Sequence, residues 1–328
     1  MEAEKMRKIQ KGRKVLLCAL ESYPGASPGS YLALSSCLYV IPDIHFEIVD
    51  VEPYLIKGRN AAGTRGRLRS HNRSVHAETD KEVLLQFIKE NPLGLLITGQ
   101  NSAQVDFLQC THVPCVLDLP EEYGGTEPRI RAHIAKQNPQ VKAMIEAVDE
   151  KPPNVLELDN DVLVLFNGKH DHYVTPKYYT ETKPSTGKVV PTWNYSAVQV
   201  YGKLSLYYDS KTPEAGAFLA QQVHDLSQHT ETTIMGYTGG EKPQPWTVSE
   251  APESYTDLLK RNIVGIEVKI TKIEGKFKMS QEMRPGDREG VAQGFAKMGT
   301  ETGTAISELV KERAELSDLK KNAVKASQ

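Results

Sequence analysis

The sequence feature that most constrains the fold is a long run of β-branched and aromatic residues, VVPTWNYSAVQVYGKLSLYY, at Val189–Tyr208. Side chains along a strand alternate between two faces, and here the alternation gives one apolar face and one polar face. The polar face carries Ala197, Gln199, Tyr201 and Lys203. Gly202 predicts a bulge, or a close approach by another backbone or a ligand. The segment is therefore either a strand that lines a polar ligand or a barrel strand that bends at its glycine.

Composition excludes several classes of protein. The chain has 328 residues, of which 39% are hydrophobic and 25% charged, values that are ordinary for a globular protein of one large or two medium domains. The formal net charge is -2 and the isoelectric point about 6.5, so no global field draws the protein to nucleic acid or membrane.

Cysteine usage and hydropathy predict an intracellular protein. The four cysteines form no CxxC pair, which indicates reduced thiols and does not favour a zinc site; they are Cys18, Cys37, Cys110 and Cys115. No apolar run approaches the roughly 20 residues of a membrane span, and the short run 15–20 does not fit a signal peptide. We expect a cytoplasmic or nuclear protein without a membrane partner.

Changes in composition divide the chain into three parts. Residues 1–73 form an N-terminal extension, residues 74–300 a single domain, and residues 301–328 a charged C-terminal helix or tail. The extension ends in a basic segment, KGRNAAGTRGRLRSHNR at 57–73, that contains no acid. This segment is either a contact for nucleic-acid phosphates or a solvated tether.

The order of elements favours an antiparallel barrel. Strands are predicted over 93–98, 107–119, 161–166 and 263–281, besides the central one, and helices over 80–90, 126–147, 212–229, 287–295 and 301–321. Irregular segments separate most strands, so a mainly β, α+β fold with flanking helices fits better than a parallel sheet. GxGxxG, Walker A and GxSxG motifs are absent.

Two clusters are candidates for a binding site. The predicted helix at 126–147 carries Arg131, His133 and Lys136, which form either an anion site for a phosphate or an exposed basic face. The segment NGKHDHYVTPKYY at 167–179 contains His170 and His172 with an aspartate between them. A metal site would need further ligands and none follows nearby, so we predict no metal there.

Four blocks in this order carry a resemblance to a known family. They are RAHIAKQNPQ (131–140), DVLVLFNGKHDHYVTPKYY (161–179), VVPTWNYSAVQVYGK (189–203) and GIEVKITKIEGKFKMSQ (265–281). Together they resemble the PaiB-type family of FMN-binding negative transcriptional regulators, over roughly residues 75–300. The resemblance implies the antiparallel FMN-binding split barrel that pyridoxamine 5'-phosphate oxidase also has, with FMN bound at the interface of a homodimer. Residues 1–73 have no counterpart in the family, and longer loops suggest a fungal member.

The resemblance also implies roles for individual residues. It assigns the phosphate to Arg131, His133 and Lys136, and the flavin ring to the turn with Trp193 and Asn194. Gln199 and Lys203 would reach the polar edge of the ring or the phosphate, and Ser280 and Gln281 would close the site from the partner subunit. A substrate pocket for a small molecule would be lined by His170, His172, Tyr173 and Trp193.

Three functions remain open at this level. The first is a flavin-binding regulator of transcription, which the family implies, although no helix-turn-helix is visible. The second is a flavin-dependent oxidoreductase of the pyridoxamine-phosphate-oxidase-like class, in which the cofactor carries the electrons and a histidine transfers protons. The third is a flavin-storage or scaffold protein with neither activity.

Overall fold

The computed structural model describes residues 75–149, 151, 156–209 and 211–326. The predicted N-terminal extension, including the basic segment 57–73, lies outside these residues, so the predicted domain bounds stay predictions. Among the described residues, no helix has both the length and the apolar character needed to cross a membrane.

Eight strands and eight helices make up the described part of the chain. The strands are Ala77–Glu78 (β1), Leu93–Gly99 (β2), Leu108–Asp118 (β3), Arg129–Ala135 (β4), Val162–Asn167 (β5), His172–Val174 (β6), Thr192–Tyr207 (β7) and Ile263–Lys278 (β8). The helices are Lys81–Glu90 (α1), Pro120–Tyr123 (α2), Pro139–Asp149 (α3), Thr182–Thr186 (α4), Pro213–His229 (α5), Glu253–Lys260 (α6), Pro285–Ala296 (α7) and Glu301–Ala326 (α8).

Six of the strands close into an antiparallel barrel. The strand order is β1-β8-β4-β3-β2-β5-β7-β6, and β7 also pairs with β8, which joins the two ends of the six-strand segment from β8 to β7. The short strands β1 and β6 extend β8 and β7 beyond the barrel. This closed antiparallel arrangement with helices outside it confirms the predicted split-barrel fold.

Strand β7 has the two faces that its sequence predicts. Its inward residues, from Asn194 to Leu206, are buried, and the alternate residues are half-buried. The pairing with β8 shifts register between Tyr201 and Gly202, and a Cβ placed on Gly202 would lie 2.1 Å from the carbonyl oxygen of Lys269. The predicted bulge and close backbone approach are both present, because only glycine leaves room for the neighbouring strand.

Two hydrophobic clusters stabilise the fold. The first fills the barrel and includes Phe166, Val200 and Ile266, each at most 2% exposed. The second lies where α7 and α8 pack against the β6 region, with Phe295 and Ile306 both fully buried. The charged C-terminal segment is therefore helical, and one face of it packs in this cluster.

The prediction of a helix at 126–147 is wrong for the first half of that range. Residues 129–135 form β4, which pairs with β3 on one side and β8 on the other. Ile130, Ala132 and Ile134 alternate into the barrel core, a period of two that fits a strand and not a helix. The helix begins only at Pro139, where proline suits the first turn.

Candidate functional site

The predicted ring-binding residues meet where the ends of β6, β7 and β8 come together. In β6–β7 pairing His172 is opposite Asn194, and in β7–β8 pairing Tyr195 is opposite Lys278. Asn194 is fully buried, and its Oδ1 accepts a hydrogen bond of 3.0 Å from the Ser280 hydroxyl. Its Nδ2 is buried without a hydrogen-bond partner among the described residues. A buried unpaired amide donor is costly, so this position fits a ligand that offers an acceptor.

The turn after β8 holds Ser280 and Gln281 within the chain itself. Ser280 has a positive φ of 61°, an uncommon conformation for a residue other than glycine. The Gln281 side chain accepts from the Met279 amide at 2.7 Å and donates to the Phe277 carbonyl. The Gln281 side chain therefore supports its own turn, whereas the Ser280 side chain bonds to Asn194 of β7. Their predicted contact with FMN from a partner subunit stays a prediction.

A cavity of about 630 Å³ opens beside this turn, and we call it the basic cavity. Its cationic side chains are Lys188, Lys276, Lys278 and Arg284, and its acidic ones are Glu282 and Asp287. The other lining residues are His76, Tyr179, Thr182, Val189, Val190, Pro191, Thr192 and Met283. Its volume is in the range of cofactor sites, and its wall of apolar residues with a few converging charges is typical of them.

Lys278 links the end of β8 to the start of β7 by hydrogen bonds. Its ammonium donates to the Thr192 hydroxyl and, at 2.8 Å, to the Trp193 carbonyl. These contacts hold the ammonium of Lys278 at the wall of the basic cavity. Lys276, two residues earlier on the same face, has its ammonium 5.6 Å from the centre of the Tyr195 ring.

One acid of the cavity, Asp287, is already held by hydrogen bonds. Burial raises the pKa of Asp287, but hydrogen bonds from the Thr182 hydroxyl and from the backbone amides of Thr182 and Glu181 outweigh it and leave the pKa below its ordinary value. Arg284 lies 3.6 Å from the Glu181 carboxylate. Because these local contacts occupy Asp287, it anchors the loop at α7.

His76 is a buried imidazole in the wall of the basic cavity. It is 3% exposed, and its Nδ1 lies 4.0 Å from the Glu282 carboxylate without a hydrogen-bond partner among the described residues. Burial lowers its pKa, and Lys278 and Lys276 lower it further, although Glu282 raises it. The imidazole is therefore neutral near pH 7 and able to accept a proton.

The three residues predicted to bind phosphate lie elsewhere. On β4, Arg131 is opposite Glu267 of β8, at the other end of the strand from Lys278. Its guanidinium donates to Asp118 at 2.6 and 2.7 Å and to Asp225 at 2.7 Å, so its charge is already neutralised. Burial lowers the pKa of His133, whose Nδ1 has no partner among the described residues, and exposed Lys136 lies 3.5 Å from the Tyr208 carbonyl. Their phosphate role stays a prediction that this geometry disfavours.

Gln199 and Lys203 are on the outer, half-buried face of β7. Gln199 accepts a hydrogen bond of 3.1 Å from the Tyr201 hydroxyl. Lys203 donates to the Asp159 carbonyl and lies 3.1 Å from the Asp161 carboxylate. Neither residue lines the basic cavity, and their predicted contact with flavin remains a prediction.

The aromatic segment around β6 is near the basic cavity but does not line it. Trp193 is 53% exposed and packs edge-on against Tyr173, with ring centres 6.2 Å apart. His172 donates through Nδ1 to the Tyr173 carbonyl at 2.8 Å and packs against Phe295. Within the described residues no group of three or more histidine, cysteine or acidic side chains is arranged to hold a metal, and half-buried His170 joins no such group.

Sequence reasoning did not assign His76, Lys188, Lys276 or Arg284 to the site. A signal was present at two of these positions. Lys276 and Lys278 alternate around Phe277, which places both on one face of β8, and Lys188 directly precedes the VVPTWNY block. The convergence itself could not be read from the sequence, because it depends on β8 pairing with β7 and on the position of α7.

Comparison with known proteins identifies the family. The family described as “Putative FMN-binding domain” matches residues 70–272. An uncharacterized protein of Aspergillus fumigatus is 57% identical over 258 residues, which cover 76% of this chain and 99% of that protein. The protein named “Protease synthase and sporulation protein PAI 2” of Bacillus subtilis is 24% identical over 72% of this chain and 93% of its own length.

Among solved structures, a conserved hypothetical protein from Mycobacterium tuberculosis matches with a TM-score of 0.38 and 13% identity, over 65% of this chain and 93% of that one. The family match spans most of the barrel, and the similarity to the Aspergillus protein fits the predicted fungal member. The chain belongs to the PaiB-type family of FMN-binding domains, and FMN is its cofactor.

Proposed function

We propose that the protein is a flavin-dependent regulator of transcription that holds FMN in the basic cavity. The observation that carries the cofactor site is the convergence of Lys188, Lys276, Lys278 and Arg284 on one cavity. The FMN phosphate is a dianion, and its burial requires charge-assisted partners of this kind. The four cations outnumber the two acids, of which Asp287 is occupied by backbone amides.

The remaining walls fit the rest of FMN. Val189, Val190, Pro191 and Met283 offer apolar contact for a flat ring system. Asn194, two positions from cavity residue Thr192, has the unpaired buried amide donor that a polar ring edge can satisfy. When bound, FMN supplies a redox centre, while the chain binds it, orients it and keeps water from it.

The regulatory role rests on the family resemblance and on the Bacillus relative, whose name refers to protease synthase and sporulation. A regulator of transcription must reach the DNA or a protein bound to it, so we place the protein in the nucleus for at least part of its time. The basic segment 57–73 is its candidate contact with nucleic-acid phosphates.

Transcript profiling tests this role. We would compare the wild-type strain, a deletion strain, and a strain that carries Lys188→Gln with Lys276→Gln. A common set of transcripts should rise in the deletion strain and in the double variant. Lys272→Gln, on the same strand but outside the cavity, should leave them unchanged. A deletion that changes no transcript would contradict the regulatory role.

A second candidate function is a flavin-dependent oxidoreductase. His76 supports it, because a buried neutral imidazole in the cavity wall can accept or return a proton during flavin reduction. The test is the visible absorbance of the flavin after anaerobic mixing of the holoprotein with NADH or NADPH. Bleaching faster than that of free FMN, and slowed by His76→Gln without loss of bound FMN, would support an enzyme. Reduction at the rate of free FMN would exclude these two donors as its reductants.

A further inference from the structure

A second cavity, of about 610 Å³, lies between β1, the end of β8 and the C-terminal helix α8. Its lining includes His76, Glu78, Phe277, Arg313, Leu316 and Lys320. His76 also lines the basic cavity, so the two cavities share this imidazole as a wall. Neither the cofactor nor the proposed regulatory role accounts for this space.

The interior of the second cavity is built from a buried ion pair over an aromatic ring. Arg313 donates to the Glu78 carboxylate and its guanidinium carbon lies 4.0 Å from the centre of the Phe277 ring. Arg313 is 8% exposed, yet its Nε has no hydrogen-bond partner among the described residues. The Nδ1 atom of His76 has none either. Two unpaired buried polar groups in one cavity wall point to a ligand that carries a polar group.

The rim of the cavity is cationic. Along α8, positions 313, 316, 317, 320 and 321 repeat at three- and four-residue spacing, which places them on one helix face. Lys320 and Lys325 are exposed, and in the described part of the chain no carboxylate lies within ion-pair distance of either ammonium. Long lysine side chains can cover apolar surface while their charges remain in water. Leu316, 37% exposed, and Val75, 36% exposed, supply the apolar surface below these charges.

We propose that the second cavity binds an amphipathic organic anion, with its apolar body on Val75 and Leu316 and its acid group at Lys320 and Lys325. An uncharged apolar ligand would leave the lysines unused, and a small inorganic anion would leave the apolar floor exposed to water. The cavity volume suits one ligand of drug-like size.

The test uses two fluorescent probes that share an aromatic body and differ in charge. They are 8-anilinonaphthalene-1-sulfonate and the uncharged N-phenyl-1-naphthylamine, each titrated into the FMN-saturated full-length protein. The sulfonate should bind saturably, with one site per chain by calorimetry. Lys320→Gln with Lys325→Gln should weaken the sulfonate roughly five- to tenfold, as two exposed ion pairs would, and change the neutral probe by less than about twofold. Leu316→Ser should weaken both probes.

Two controls separate this site from other surfaces. Lys311→Gln, at an exposed position of α8 outside the cavity lining, should change neither affinity. Lys188→Gln, in the basic cavity, should also leave the sulfonate affinity unchanged. The proposal is overturned if the sulfonate does not saturate, if the double variant binds it like the wild type, or if the double variant loses both probes equally. Loss of the sulfonate in Lys188→Gln would place the probe in the basic cavity and overturn it too.

Discussion

At the scale of single residues, Arg131 and Lys136 show how surroundings decide what a cation does. Both lie near the end of β4, and the sequence alone treats them alike. Arg131 is buried and bonded to Asp118 and Asp225, whereas Lys136 is exposed with only a long contact to a carbonyl. Burial alone would lower the pKa of Arg131, but the two carboxylates raise it above its ordinary value. Arg131 therefore has a structural role in a buried ion-pair cluster, and Lys136 is a surface charge.

Substitution of these two residues should therefore affect stability and not phosphate binding. Arg131→Ala leaves Asp118 and Asp225 without their shared partner and should lower the free energy of unfolding by about 3 kcal/mol. This is the low end of the range for breaking a buried ion pair, because Arg129 still pairs with Asp118. Lys136→Ala should change it by less than about 0.5 kcal/mol. Urea unfolding measures both. A phosphate-specific loss of FMN affinity in Lys136→Ala would return the phosphate site to β4.

His133 should make stability depend on pH. Burial lowers its pKa from the ordinary value of 6.5, so as the pH falls below 6.5 the unfolded chain takes up the proton first. Its contribution to stability is fully present above that pH and is lost as the pH falls toward the folded-state pKa. His133→Gln should therefore flatten the decline of the unfolding free energy between about pH 7.5 and about pH 5.5. The exposed His112→Gln serves as the control, and an unchanged slope in His133→Gln would contradict the assignment.

At the scale of elements, the sequence predicts correctly the strands in which one repeating pattern of apolar and polar residues is long. β7 and β8 were predictable because long alternation of apolar and polar residues leaves no competing helix. In β4 the positions that alternate with Ile130, Ala132 and Ile134 include Arg131 and His133, and this alternation is short. The helical pattern of adjoining α3 continues toward the strand, so the sequence predicts one helix over both. Helix α1 begins at Lys81, one residue after the predicted start at 80, because Asp80 is its N-cap and the Asp80 carboxylate accepts hydrogen bonds from the amides of Glu82 and Val83.

The packing of α8 gives the next prediction. Ile306 is fully buried in the second hydrophobic cluster, whereas Leu319 of the same helix is 65% exposed. Ile306→Ala should lower the free energy of unfolding by about 2–5 kcal/mol, because it opens a cavity in a packed core. Leu319→Ala should cost less than about 0.5 kcal/mol. Equal, small effects of the two substitutions in a thermal melt would mean that α8 is the loosely attached tail that its charges suggested.

At the scale of the whole molecule, both cavities are assembled from segments distant in the chain. The basic cavity combines His76, Lys188, Lys276 and Arg284, which no local motif connects. The four family blocks do supply its surroundings, since Thr192, Lys278 and the Ser280 turn all fall in or beside them. The sequence therefore predicts the fold and the cofactor. The meeting of the charges that we propose for the cofactor phosphate depends on the pairing of β7 with β8 and on the position of α7 after β8.

We also propose that the protein is a homodimer, as the family resemblance implies. The outer face of β7 presents the half-buried rings of Tyr195 and Tyr201, and aromatic residues are enriched in protein interfaces, so we place the contact with the second copy there. Sedimentation of the FMN-loaded protein at micromolar concentration should give the mass of two chains. Tyr201→Glu should shift it toward one chain, and the control Ser227→Glu on α5 should not. A wild-type protein that sediments as a monomer while it holds FMN would contradict the dimer.

The most direct test of the account is the affinity of FMN and of riboflavin for a protein without two of the cavity lysines. Lys188→Gln with Lys276→Gln, compared with Lys272→Gln on the same strand, would be titrated with both ligands and followed by quenching of flavin fluorescence. The double variant should lose roughly 2–4 kcal/mol of FMN binding free energy, because a hydrogen bond to a charged group contributes about 1.5–3 kcal/mol and the two need not add. Riboflavin, which has no phosphate, should lose far less, and Lys272→Gln should bind both ligands like the wild type. Unchanged FMN affinity in the double variant, or equal losses of FMN and riboflavin, would contradict the assignment of the phosphate to the basic cavity.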